Sequence, residues 1–199
     1  MAQISLYYQT QLETKVSLLP EHINGDIDYH IETSLKDKID GKSIENGIVI
    51  RIIKLISYDY GMIDKTNLMG TTNYKVKYEC LLCSPVKDLE MIGVVDNIVP
   101  GYIICRNGPI IAAVQFTSID THSFKVMENK IYHIPTNKEI IKGDYLKVSI
   151  ININNNPGER KIVAVCKLLN TGSKNDIKKF KEEQSLVENI GVDENVEFI

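Results

Sequence analysis

Tyr74-Lys75-Val76-Lys77-Tyr78-Glu79-Cys80-Leu81-Leu82-Cys83-Ser84-Pro85 is the stretch on which the fold turns. Tyr74, Val76, Tyr78 and Cys80 alternate with Lys75, Lys77 and Glu79, the two-residue period of a strand with one buried face. Ser84-Pro85 then interrupts the pairing, because proline carries no backbone N–H. A domain boundary is expected there, with different periodicities on its two sides.

On the N-terminal side, Gln3 to Leu19 reads as a strand or a bent pair of strand segments, and Pro20 stops it. From Pro20 to Ile39 the residues Ile23, Ile27, Ile31, Leu35 and Ile39 recur every fourth position, which predicts an amphipathic helix that Gly25 weakens without abolishing. Asp40-Gly41 offers a left-handed cap at its end. Ile48 to Ser57, Gly61 to Asp64 and Tyr74 to Cys83 supply a sheet for that helix to cover, joined through turn-forming Tyr58-Asp59-Tyr60-Gly61 and a polar connection at 68–73. Residues 1–84 are therefore expected to form an α+β domain, a helix packed on an antiparallel sheet.

On the C-terminal side the helical period disappears. Short strands are expected at Glu90–Ile98, Gly101–Arg106, Ile110–Phe116, Tyr145–Asn152 and Arg160–Leu169, with Asn107-Gly108-Pro109, Gly143-Asp144 and 152–158 as turns and loops. Five short strands fit a closed barrel better than an open sheet with two bare edges, so residues 85–170 are expected to be an all-β oligonucleotide-binding barrel. Gly93 before Val94-Val95 suits a tight bend or close barrel packing. Residues 171–199 read as an acidic tail, either disordered or holding a short helix capped by Ser173 or Asn175 that uses Ile177, Phe180 and Val187.

Thirty isoleucines among 199 residues favour a largely β protein, because β-branched side chains pack well on pleated surfaces. No apolar run reaches the length of a membrane span, and Met1–Tyr8 has neither a basic start nor a small-residue cleavage pattern, so no membrane and no secretory leader are expected. The formal charge of −3 is unevenly spread, with 10 basic and 8 acidic residues over 86–170 against 9 and 11 over 1–85. Contact between the barrel and a polyanion is thus permitted without being announced.

Cys80 and Cys83 form a Cys-x-x-Cys pair, readable as ordinary strand residues, half of a metal site or a redox pair; Cys105 and Cys166 are isolated. His22, His30, His122 and His133 have no ligand spacing, and no phosphate-binding glycine loop or nucleophile elbow occurs. An active site and a cofactor are not expected. For single-stranded RNA crossing the barrel, the aromatic and basic candidates are Tyr102, Arg106, Phe116, Phe124, Lys125, Lys130, Tyr132 and Lys147, with a core or solvating role as the alternative for each.

The order of these features resembles the stalk subunit of multisubunit DNA-directed RNA polymerases, the seventh subunit of eukaryotic polymerase II and its archaeal counterpart. The resemblance spans Ile4 to Leu169 and rests on Leu18-Leu19-Pro20, Gly47-Ile48-Val49-Ile50, Gly61-Met62-Ile63, the Tyr74–Cys80 strand with Cys83-Ser84-Pro85, Gly93-Val94-Val95, Gly108-Pro109 and Ile141-Lys142-Gly143-Asp144. It implies an N-terminal tip domain docking near the clamp of the polymerase core, an S1-type barrel facing nascent RNA, a second stalk subunit as a partner, and no catalysis by the subunit itself. By region it implies Tyr58, Tyr60, Met62, Leu68 and Met69 as polymerase-docking residues, and Tyr102, Arg106, Phe124, Lys125 and Lys130 as RNA-facing residues. Lys87-Asp88-Leu89-Glu90-Met91-Ile92 departs from the family's usual approach to the barrel, and the 30 residues after Leu169 extend past its usual end. With the isoleucine and asparagine bias, this divergence fits a large DNA virus encoding its own polymerase, which places the protein in the nucleus or host cytoplasm and packages it in the virion. The rival readings are a free-standing S1-type RNA-binding protein and a structural adaptor without RNA contact.

Overall fold

The computed structural model describes residues 5–63, 69–127 and 130–188. Its first sheet is built around the Tyr74–Cys83 alternation. Strand β1 (Tyr7–Leu18) is followed by a 3-10 turn at Pro20–His22, helix α1 (Ile27–Ile39), β2 (Ser43–Ile44), β3 (Gly47–Tyr58), β4 (Met62–Ile63) and β5 (Thr72–Cys83). The strand order is β1-β5-β3-β2, all antiparallel, and β4 takes up the pairing with β5 beyond the end of β3. Tyr74, Val76, Tyr78, Cys80 and Leu82 face Ile31, Leu35 and Ile39 of α1 in one buried cluster.

The helix starts later than its sequence predicts. A stripe repeating every fourth residue drifts by about 40° per step on a helix of 3.6 residues per turn, so Ile23 falls off the face that Ile39 occupies and stays exposed. Asn24-Gly25-Asp26 makes a turn instead, with the Asn24 side chain accepting the Asp26 amide at 2.9 Å. The C-terminal end agrees with expectation, since Gly41 is left-handed at φ 66°.

The second half is a closed barrel. Strands β6 (Glu90–Val99), β7 (Tyr102–Asn107), β8 (Ile110–Ile119), β12 (Tyr145–Asn154) and β13 (Ile162–Thr171) close in the order β12-β13-β8-β7-β6, every pair antiparallel except β8 with β13. This order is compatible with an oligonucleotide-binding barrel. Ile103, Cys105, Ala112, Val114, Leu146, Val148, Ile150, Ala164, Cys166 and Leu168 fill the interior. Gly93 is needed for close packing, because a Cβ there would sit 2.8 Å from Cys105 Cβ. Between β8 and β12 lies a small sheet that the sequence pattern leaves unassigned: β9 (Phe124–Met127), β10 (Lys130–His133) and β11 (Lys138–Glu139). Its Phe124 and Ile131 join the barrel's core cluster.

Within the first part of the tail a helix forms, and residues 189–199 lie outside the described residues. Helix α2 (Lys174–Glu188) starts at Ser173, whose hydroxyl accepts the Asp176 amide at 3.2 Å while the Asp176 carboxylate accepts the Ser173 amide and hydroxyl. Phe180 is buried edge-on against Tyr145, with ring centroids 5.8 Å apart.

The two halves are joined by more than the 84–89 connection. Tyr7 at the start of β1 donates to Asn107 Oδ1 at 3.0 Å, Gln184 of α2 donates to the same oxygen at 2.9 Å, and Asn107 donates to the Ile92 carbonyl at 2.8 Å. On the other side, Ser43 N donates to the Glu159 carbonyl at 2.7 Å, Gly158 N to the Ser43 carbonyl at 2.8 Å, and Asn155 Nδ2 to the Ile44 carbonyl at 2.7 Å. The loop between β12 and β13 is thereby bonded to the first sheet.

Candidate interaction surfaces

Strand β5 has two unlike ends. At its C-terminal end both faces are covered, because Cys80 and Leu82 point toward α1 while Leu81 and Cys83 point into the barrel cluster. The Cys-x-x-Cys pair is thus divided. Side chains three apart on a strand leave opposite faces, so Cys80 and Cys83 lie in different cores. Burial pushes the thiols up to about 11 and about 12 respectively, the reverse of what a nucleophilic or metal-binding cysteine needs. Packing is their role. Among the described residues no three His, Cys, Asp or Glu side chains converge on a metal-sized space.

The other end, about 36 Å away for eleven strand steps, is apolar and open to solvent. Tyr60 is 97% exposed, Met62 72%, Ile63 65% and Met69 74%. The bend is firmly held although its side chains are bare. The Asp59 amide donates to the Lys75 carbonyl at 3.1 Å, and Asp59 Oδ1 accepts the Lys75 amide at 2.7 Å. Gly61 lies so close to the strand that a Cβ would come within 2.3 Å of Thr72 Cγ2 and 2.6 Å of the Tyr74 ring. Tyr58 is tied down as well. Its hydroxyl donates to Asp28 Oδ1 at 2.5 Å, a hydrogen bond that raises the phenol above its usual range, and its ring stands edge-on to Tyr74. Of the docking residues expected from sequence, Tyr60, Met62 and Met69 are presented outward and Tyr58 braces the bend, while Leu68 lies outside the described residues. Ile63, within the region 58–73 expected to dock, is exposed as well, and so is Ile56, which lies outside that region. Their β-branched side chains look like core strand residues.

On the barrel the expected RNA-facing residues separate. Tyr102 and Arg106 both stand on the outer face of β7, and the Tyr102 hydroxyl accepts from Gln115 Nε2 at 3.2 Å. Lys125 and Lys130 belong to the small sheet β9–β10. Phe124 is no stacking platform: it is 2% exposed, packed against the His133 ring at 5.2 Å. Phe116 is half-buried against the core and Tyr132 half-buried on β10. Several candidate cations are already neutralised. Arg106 pairs with Asp96 at 2.8 Å, Lys130 with Glu139 at 3.1 Å and Lys147 with Glu90 at 2.6 Å. Their hydrogen bonds to those carboxylates hold Lys130 and Lys147 above the usual lysine range. Lys138 and Lys142 pair with Asp144 and Asp96 in the same way. Apart from Lys138 and Asp144, these partners are distant in sequence or across a strand pair, so no local signal could have revealed them.

The molecule thus carries an exposed apolar bend at one end of a helix-covered sheet and a closed barrel at the other. No family model matches the chain. A protein of Acanthamoeba polyphaga mimivirus, named as a DNA-directed RNA polymerase subunit, is 48% identical over 199 residues and covers both chains end to end. The chain belongs to that family of viral RNA polymerase subunits. The full-length match takes in the apolar bend, the barrel and α2 alike. No helix among the described residues is long and apolar enough to cross a membrane.

Proposed function

We propose that this protein is a non-catalytic stalk subunit of a multisubunit viral RNA polymerase. Residues 1–84 act as the tip domain that docks on the core enzyme near its clamp, and residues 85–170 are an S1-type barrel carried outward, with α2 bracing the junction. The observation that carries the reading is the exposure of Tyr60, Met62 and Ile63 together on one bend, bonded to β5 at its far end from the barrel. Large apolar side chains exposed together mark sites where proteins meet, and aromatic and methionine side chains are enriched in such contacts. The core subunits, and a second stalk subunit along the length of the chain, are the partners this reading names. The subunit works with its polymerase inside the infected cell, in the nucleus or host cytoplasm, and travels in the virion.

Exchanging Tyr60 and Met62 together for aspartate tests the docking. The doubly substituted subunit keeps its fold and fails to co-purify with the polymerase. Retention at the unsubstituted level overturns the docking site. The barrel's contact with nascent RNA is the second part of the reading. It is supported by strand order, and the ion pairs of Arg106, Lys130 and Lys147 favour the competing view of an adaptor that never touches RNA. Salt-dependent binding of single-stranded RNA by the full subunit separates the two, since an adaptor gives none.

A further inference from the structure

The cations of the barrel are not equivalent. Arg106, Lys130, Lys138, Lys142 and Lys147 each sit against a carboxylate. Among the described residues between β6 and β13, Lys125, Arg160, Lys161 and Lys167 have no ion pair, and the last three cluster on β13 and the loop before it. The Glu159 side chain beside them is occupied by Asn156 at 3.0 Å. Asp120, which lies within the electrostatic reach of Lys167, is already engaged by the His122 amide and the Ser123 hydroxyl.

Strand alternation then arranges these cations. Ile162, Ala164, Cys166 and Leu168 point into the barrel, so Lys161, Val163, Val165 and Lys167 form one outward row. Val163 and Val165 are exposed at 40% and 37%. The parallel ladder sets Ile111 and Ala113 of β8 beside those two valines, and the antiparallel ladder sets Asn154 and Asn152 on their other side. The result is an aliphatic strip between two lysines without ion pairs about 20 Å apart, bordered by amides.

We infer that single-stranded RNA runs along β13, its phosphates held by Lys161 and Lys167 and its bases lying over Val163 and Val165. This rests on the reading that the barrel contacts RNA, and it moves the contact from Arg106 and Lys130 to the strand whose charges are unspent. A phosphate chain complements two lysines that hold no ion pair, whereas a cation already bonded to a carboxylate gains little from a phosphate and first loses its partner. The strip takes part of the roughly 4–16 nucleotides that one such barrel accommodates. The loop between β12 and β13 is bonded to Ser43 and Ile44, so the face stands on a fixed support.

The test uses the full subunit within its polymerase, elongating a 4-thiouridine transcript, with photocrosslinked peptides mapped. The complete subunit is also titrated with a fluorescent oligouridylate at several salt concentrations. RNA crosslinks to the peptide holding Val163 and Val165. Lys161→Ala and Lys167→Ala each weaken binding and lower the log–log salt slope by about 0.7, the value for one phosphate contact on a single strand, while Arg106→Ala leaves the slope unchanged. If Arg106→Ala and Lys130→Ala lower the slope and the β13 variants do not, this track is wrong and RNA contact by the barrel stands. Absence of both crosslinking and salt-dependent binding removes RNA contact altogether. A photocrosslinking amino acid at position 165 in the same complex that joins another polymerase subunit in place of RNA assigns the face to a protein and overturns the inference.

Discussion

The two ends of β5 differ in what surrounds them more than in what they are made of. Near Cys83 every side chain is covered, on one face by α1 and on the other by the barrel. Near Thr72 the neighbouring bend holds equally apolar residues, and they face water. The bend is nonetheless tied to the strand, by the pair of hydrogen bonds between Asp59 and Lys75 and by the close approach of Gly61 to Thr72 and Tyr74. Exposed apolar side chains on a flexible loop would be an accident of composition; on a bend tied in this way they cost solubility with no gain to the fold. That contrast is the reason for assigning the covered end to stability and the bare end to a partner.

Substitutions at the two ends break or sharpen this contrast. The largest effect is expected from Leu82→Ala, a fully buried truncation in the helix-side core, which lowers unfolding free energy by about 2–5 kcal/mol in denaturant titrations. Met62→Ala, its counterpart at the bare end, changes stability by less than about 0.5 kcal/mol; a cost comparable to that of Leu82 makes the bend a structural element and removes it as a docking site. Next, Gly61→Ala drives a methyl into Thr72 and Tyr74 and destabilises by about 1–3 kcal/mol. Tyr7→Phe removes the hydroxyl donor to Asn107 at the covered end and costs about 1 kcal/mol, because Gln184 still bonds the same oxygen. The smallest effect is a rate. With their pKa values raised by burial, Cys80 and Cys83 stay protonated at pH 8, so iodoacetamide labels them slowly in the native protein and rapidly in urea. Rapid native labelling contradicts their placement in the two cores.

Where residues repeat with a strand's period, the fold is legible from sequence. The alternation from Tyr74 to Cys80 and the five barrel strands appear within two or three residues of their expected limits. The start of α1 falls elsewhere because a four-residue repeat drifts around a helix, leaving Ile23 behind. Strands β9 to β11 escape notice because two to four residues carry too little periodicity to register. Phe124 illustrates the limit for sites: an aromatic residue between polar neighbours reads equally as a stacking surface or a core anchor, and only the tertiary neighbours Ile131 and His133 decide. Arg106 illustrates it for charge, since Asp96 reaches it across a strand pair. Exposure of Tyr60, Met62 and Ile63 is expected from their region alone, and that of Ile56 is not.

The docking proposed for this subunit depends on the bare end of β5 being where it meets its polymerase. A photocrosslinking amino acid at position 60, in subunit assembled with the polymerase, tests that directly. Irradiation is predicted to join position 60 to a core polymerase subunit in high yield, with the same group at the exposed Tyr29 giving none. A protein that assembles normally and crosslinks from position 60 to nothing in the complex contradicts the claim.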